Sequence, residues 1–292
     1  MQDRLDPLMK DRAPWLFRRD VPSRTARALL GRMLGYQKTL ALATELQDQP
    51  SDRIMAALSD ILAQDVVATG LEHIPRHGPA LIVANHPTGI ADGIILHGLL
   101  AQTRTDTCML ANLDILRVMP QMADMIAPVE WRPDRRSHAK TRATMAYRRQ
   151  AVAAGRLGVI FPSGRLAKRR GLSLHERPWM ASAAMLARKF DLPVIPVNIR
   201  ARNSALFYLF DLIHPSLRDI TLFHETLNKD RQPFGVTIGE AISPSALPVR
   251  SEDGIALLRR ATLALGGTDA PAVSLVNNTR RPAWIRQVKT GH

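Results

Sequence analysis

The chain has 292 residues, enough for one large domain or two modest ones, with 46% hydrophobic and 23% charged residues as in ordinary folded proteins. Forty Lys and Arg against twenty-six Asp and Glu leave a formal charge of +14, which asks for an anionic partner: nucleic acid, an anionic lipid surface or an acidic carrier protein. The single cysteine, Cys108, excludes an internal disulfide and a Cys-based zinc site.

Three tyrosines and no run of interleaved aromatic and basic residues argue against a nucleic-acid binder. The start, Met1-Gln-Asp-Arg-Leu-Asp, lacks the pattern of a signal peptide, and no window reaches the ~20 apolar residues of a membrane span. The expectation is a protein that is soluble or bound to a membrane surface, in a reducing compartment.

From Pro22, the residues Ala26, Leu29, Leu30, Met33 and Leu34 recur at helical spacing, so an amphipathic helix begins there, with Arg24, Arg27 and Arg32 on its other positions. With Trp15-Leu16-Phe17 and Arg18-Arg19 ahead of it, this helix suits a lipid interface, or equally a helix docked on the body with a solvated basic face. A second helix is expected over 52–63. Residues 66–69 read as the strand that opens an α/β body. The wholly apolar run 80–84 is the next strand; it stops at Asn85-His86, and 90–100 reads as the helix behind it.

Further strands are expected over 107–111, 126–131, 157–161, 192–199 and 236–242. Helices are expected over 113–125 with a break at Pro120, and over 137–154, 178–190, 206–213 and 251–266. Met119, Met122 and Met125 suit either plain core or an acyl-chain groove. The basic cluster Lys168-Arg169-Arg170 reads as a loop. This alternation implies an α/β fold, a largely parallel or mixed central sheet flanked by helices. It divides into a helical N-terminal extension at 1–65, an α/β domain at 66–267 and a polar, loosely held tail at 268–292.

Familiar catalytic signatures are absent. Ser163 lacks the glycine frame of a hydrolase nucleophile, and Asn228 stands where a zinc helix starting at His224-Glu225 needs its second histidine. Three strand ends remain: Asn85-His86 with Asp92, Phe161-Pro-Ser-Gly-Arg165, and Leu192-Pro-Val-Ile-Pro196. A histidine at the mouth of a buried strand sits where open sheets place their chemistry, and a nearby carboxylate can fix its tautomer. Taken alone, such a pair also suits a merely capped strand end.

In order and spacing these three boxes resemble the lysophospholipid (glycerolipid) acyltransferase family, most of all its bacterial hemolysin-like or ornithine-lipid-type branch. An Asn-Ser segment (here within 202–208) and a late Ile238-Gly239 recur there too, so the resemblance spans about 66–242. It implies transfer of a fatty acyl group from a thioester of acyl carrier protein or coenzyme A to the hydroxyl of a lysolipid, such as lysophosphatidic acid or lyso-ornithine lipid. It casts His86 as general base and Asp92 as its partner. Asn85, Arg132, Ser163, Gly164 and Arg165 fall at the acceptor site.

The resemblance also implies no metal or redox cofactor, and a place at the inner face of the cytoplasmic membrane as a peripheral protein. A non-catalytic lipid-binding protein on the same scaffold is the alternative. Two departures stand out. Five residues rather than four separate His86 from Asp92, with Gly89 and Gly93 to absorb the extra one. Ser163 stands where the family has Glu, and Leu166 where it has Arg, so phosphate recognition passes to Arg165, to Lys168–Arg170 or to Arg132.

Overall fold

Wholly apolar runs become the interior of a sheet, because only a strand covered on both faces can bury every side chain. The computed structural model describes residues 1–129, 137–229 and 232–279, so Arg132 lies outside the described residues. The central sheet comprises β1 (Val66–Thr69), β2 (Ala80–Ala84), β3 (Thr107–Asn112), β4 (Ile126–Val129), β5 (Leu157–Ile160), β8 (Val194–Arg200) and β9 (Phe234–Ile238). Its order is β1-β9-β8-β2-β5-β3-β4.

The run from β8 to β4 is parallel throughout, whereas β9 joins β8 antiparallel and carries β1 parallel to itself. The sheet is therefore mixed. Strand β2, buried at every position, lies near its middle, which brings the ends of β2, β5 and β8 to one edge.

A second, antiparallel sheet is made of β6 (Lys168–Arg170), β7 (Ser173–His175) and β10 (Ala272–Ser274). Here the structure corrects two expectations. The basic run Lys168–Arg170 is not a loop but one arm of a hairpin turning at Gly171, whose φ is 58°. The stretch after Thr268 is not loose as far as it is described, since Ala272–Ser274 pairs with β7 and Val273 is buried.

The helix α5 (Ile90–Leu100) is buried along most of its length. It crosses α4 (Ser51–Leu62) at Gly98, where a Cβ would fall 1.8 Å from Ser59 Oγ, so only glycine allows the contact. Met119, Met122 and Met125 pack in the main core with the strands.

Among the described residues, three helices escape the sequence reading, α1 (Gln2–Arg12), α3 (Tyr36–Leu46) and α10 (Pro215–Thr226). The first is polar and contains Pro7, which hides its period. All three are held by tertiary contacts. Arg12 pairs with Asp114 at 2.9 Å, the Trp15 indole donates to Ser216 Oγ at 3.0 Å, and the Tyr36 hydroxyl donates to Asp6 at 2.7 Å. Between α1 and α5 lie α2 (Val21–Met33), capped by Asp20, and α3 (Tyr36–Leu46).

Candidate active site

Strand β2 does not end where its ladder ends. Asn85 extends the pairing with its side chain: Nδ2 donates to the Ile199 carbonyl at 2.9 Å, and Oδ1 accepts the Ile199 N–H at 2.6 Å. Both ends of this buried amide are thus engaged with the main chain of β8. The structure gives Asn85 a scaffolding part at the end of β2.

His86 emerges next, and its side chain is 19% exposed. The ring stacks on Phe161 at the end of β5, with centroids 4.3 Å apart and planes at 26°. Its Nδ1 lies 2.9 Å from Oδ2 of Asp92, a carboxylate with no exposure at all. The approach is at ion-pair distance rather than along an ideal hydrogen-bond line, as is common in catalytic pairs before substrate arrives.

The expected pair is therefore brought together, and the extra residue between its members is visibly absorbed. Asp92 Oδ2 accepts the N–H groups of Thr88 at 2.9 Å and Gly89 at 3.0 Å, while Oδ1 accepts the Thr88 hydroxyl. Gly89 carries the turn at φ 100°, and a Cβ there would sit 3.0 Å from a Leu166 methyl. Asp92 is also the third residue of α5 and satisfies its first free N–H, so one carboxylate caps the helix and faces the imidazole.

Beneath this turn lies a polar cluster that sequence reasoning missed in part. Asn203, in the Asn-Ser segment after β8, donates to the Thr88 carbonyl at 3.3 Å, and its Oδ1 accepts from Lys229 Nζ at 2.6 Å. Lys229, fully buried, also pairs with Glu225 at 3.1 Å, and Glu225 accepts the Ser204 N–H at 2.8 Å. Burial pushes the Lys229 ammonium below the usual lysine range, and Glu225 opposes the shift. In sequence, Glu225 and Lys229 have only the spacing of an ordinary surface pair on a helix.

The second box follows β5. Ser163 is buried and its hydroxyl donates to the Arg165 carbonyl at 2.8 Å. Gly164, with φ 58°, turns the chain so that it and Arg165 are exposed at the tip, three and four residues past the Phe161 that carries the His86 ring. Glu176, after β7, completes the surroundings. Its carboxylate accepts the His86 N–H at 3.1 Å and the Trp179 indole N–H at 2.9 Å. Burial raises its pKa from the ordinary carboxylate value, against these donors and the nearby imidazole.

Such an arrangement can move a proton. With Nδ1 turned to a buried carboxylate, the other ring nitrogen, Nε2, is left to take a proton from a bound hydroxyl.

Among known proteins, the family pattern described as "Acyltransferase" matches residues 65–200, which include His86, Asp92 and Ser163 to Arg165. Two relatives are named lyso-glycine lipid O-acyltransferase. The one from Phocaeicola vulgatus is 24% identical over 194 residues, 64% of this chain and 68% of the relative. The one from Bacteroides thetaiotaomicron is 23% identical over 208 residues, 68% of this chain and 73% of the relative. The crystal structure of the 1-acyl-sn-glycerophosphate (LPA) acyltransferase PlsC from Thermotoga maritima aligns with 84% of this chain and 98% of its own, at 15% identity and a TM-score of 0.48.

Proposed function

We propose that this chain, which carries the family pattern described as "Acyltransferase" over residues 65–200, is a lysolipid O-acyltransferase that moves a fatty acyl group from a thioester to a lysolipid hydroxyl with His86 as general base. The observation that carries this reading is the 2.9 Å approach of His86 Nδ1 to buried Asp92 at the end of β2.

The acceptor hydroxyl gives its proton to Nε2 as its oxygen attacks the thioester carbonyl. The tetrahedral intermediate then expels the thiolate, which takes the proton back from the imidazolium, leaving an ester and a free thiol. Asp92 orients the ring and stabilises the imidazolium, and base catalysis of this kind is worth roughly 10²–10⁴-fold in rate. Acyl carrier protein or coenzyme A brings the acyl group as a substrate, and no resident cofactor takes part in these steps.

The relatives' printed name favours a lyso-glycine lipid as acceptor over lysophosphatidic acid or lyso-ornithine lipid. Gly164 and Arg165 hold its head group at the tip beside the imidazole. The protein works as a peripheral protein on the inner, anionic face of the cytoplasmic membrane. Helices α2 and α9 (Ala205–Ile213) share a buried apolar cluster, yet leave Val21, Leu29, Met33, Leu209, Leu212 and Ile213 exposed, with exposed Arg18, Arg19 and Arg24 close by in the chain. Apolar side chains fringed by arginines suit an anionic lipid surface. Among the described residues, no helix is long and apolar enough to cross a membrane.

The test is thiol release from acyl carrier protein and coenzyme A thioesters with each lysolipid supplied on vesicles. Release that requires the lysolipid, with the acylated product seen by mass spectrometry, supports the reading. Vesicle binding with no thiol released overturns it in favour of a non-catalytic lipid-binding protein.

A further inference from the structure

Glu176 is a buried carboxylate that the proton-transfer steps do not use. Burying such a group is unfavourable unless its oxygens are satisfied, and here the donors include the site itself. One oxygen takes the His86 N–H at 3.1 Å and the other takes the Trp179 indole N–H at 2.9 Å. On the opposite side of the same residue, the Ala167 N–H donates to the His86 carbonyl at 2.9 Å. Both main-chain groups of His86 are thus gripped by one segment, the hairpin stretch 167–176.

We propose that Glu176 is a positioning residue, fixing the His86 main chain from the hairpin so that its ring stays between Asp92 and Phe161. This rests on His86 being the general base. The hairpin is therefore part of the catalytic apparatus, although its residues touch neither the substrate nor the reacting atoms. A small displacement of a base costs heavily in rate, up to about 10²-fold per ångström, while leaving substrate binding almost untouched.

The experiment compares Glu176→Gln and Glu176→Ser with wild type and His86→Ala, reading kcat and KM for thioester and lysolipid. Each single variant at Glu176 is expected to lower kcat by about tenfold to a hundredfold with KM changed by no more than about twofold. A merely structural loss would lower the melting temperature and the active fraction without this split between kcat and KM.

Variants that melt like wild type and keep the wild-type kcat, or that raise KM as much as they lower kcat, would overturn the proposal. The isosteric Glu176→Gln protects against a Glu176→Ser chain that does not fold. If His86→Ala is inactive while the Glu176 variants are not, only this proposal fails. If His86→Ala transfers at the wild-type rate, the reading of the base itself fails.

Discussion

Arg104 and His86 occupy opposite ends of the same parallel strands, and they are built to opposite plans. Arg104 sits where the strands begin. Its guanidinium donates to both oxygens of Asp106, at 2.6 Å each, and to the carbonyls of Pro75, Gly78 and Gly155 at 3.1, 2.8 and 2.7 Å. Those groups precede β2, β3 and β5, so one side chain ties three strand starts together and every donor is engaged. His86 sits where the strands finish, clamped through its main chain and one ring nitrogen but still open to solvent on its side chain. A saturated polar group contributes stability and nothing else. A group held just as firmly, with one atom left over, can react.

Substitutions should split along this contrast. Asp92→Ala is expected to have the largest effect, lowering the transfer rate by about 10²-fold or more, because the imidazole loses its partner and the Thr88 and Gly89 N–H groups lose their acceptor. Steady-state kinetics on protein with an intact circular dichroism spectrum will show it. Lys229→Met acts on stability. It strands the buried Glu225 carboxylate, and breaking such a pair costs about 3–5 kcal/mol, readable in a urea titration.

Asp106→Asn is the smallest and leaves kcat alone. The Arg104 hydrogen bonds hold the Asp106 carboxyl below the usual carboxylate range, so its contribution is full at neutral pH and fades as pH falls below about 4. Because this carboxylate is 43% exposed, solvent screening keeps the difference within about 0.5 kcal/mol. Melting temperatures of wild type and variant should converge as the solution is acidified.

The His86 half of this contrast is legible in the sequence, and the parts that are not have a common cause. The run Ala80–Ala84 reads as a buried strand and 90–100 as the helix behind it. His86 and Asp92 were visible as residue types at a strand end. Their meeting was not, because it depends on the φ of Gly89 and on what Thr88 and Asn203 hold.

The hairpin was hidden more deeply. Strands of three residues have no period to detect, and Lys168-Arg169-Arg170 reads as solvated charge until β7 and β10 pair alongside. Glu176 looks like linker for the same reason: its burial is created only when the hairpin folds over the end of β2. Local pattern reveals what a segment buries by itself, whereas Asn85, Glu176 and Lys229 have roles set by distant partners.

The most direct test of the account is the rate of acyl transfer by the His86→Ala protein, measured as lysolipid-dependent thiol release at a concentration and melting temperature matched to wild type. The site described here predicts a fall of at least about 10²-fold. An unchanged rate would contradict it and remove the strand-end histidine from the mechanism.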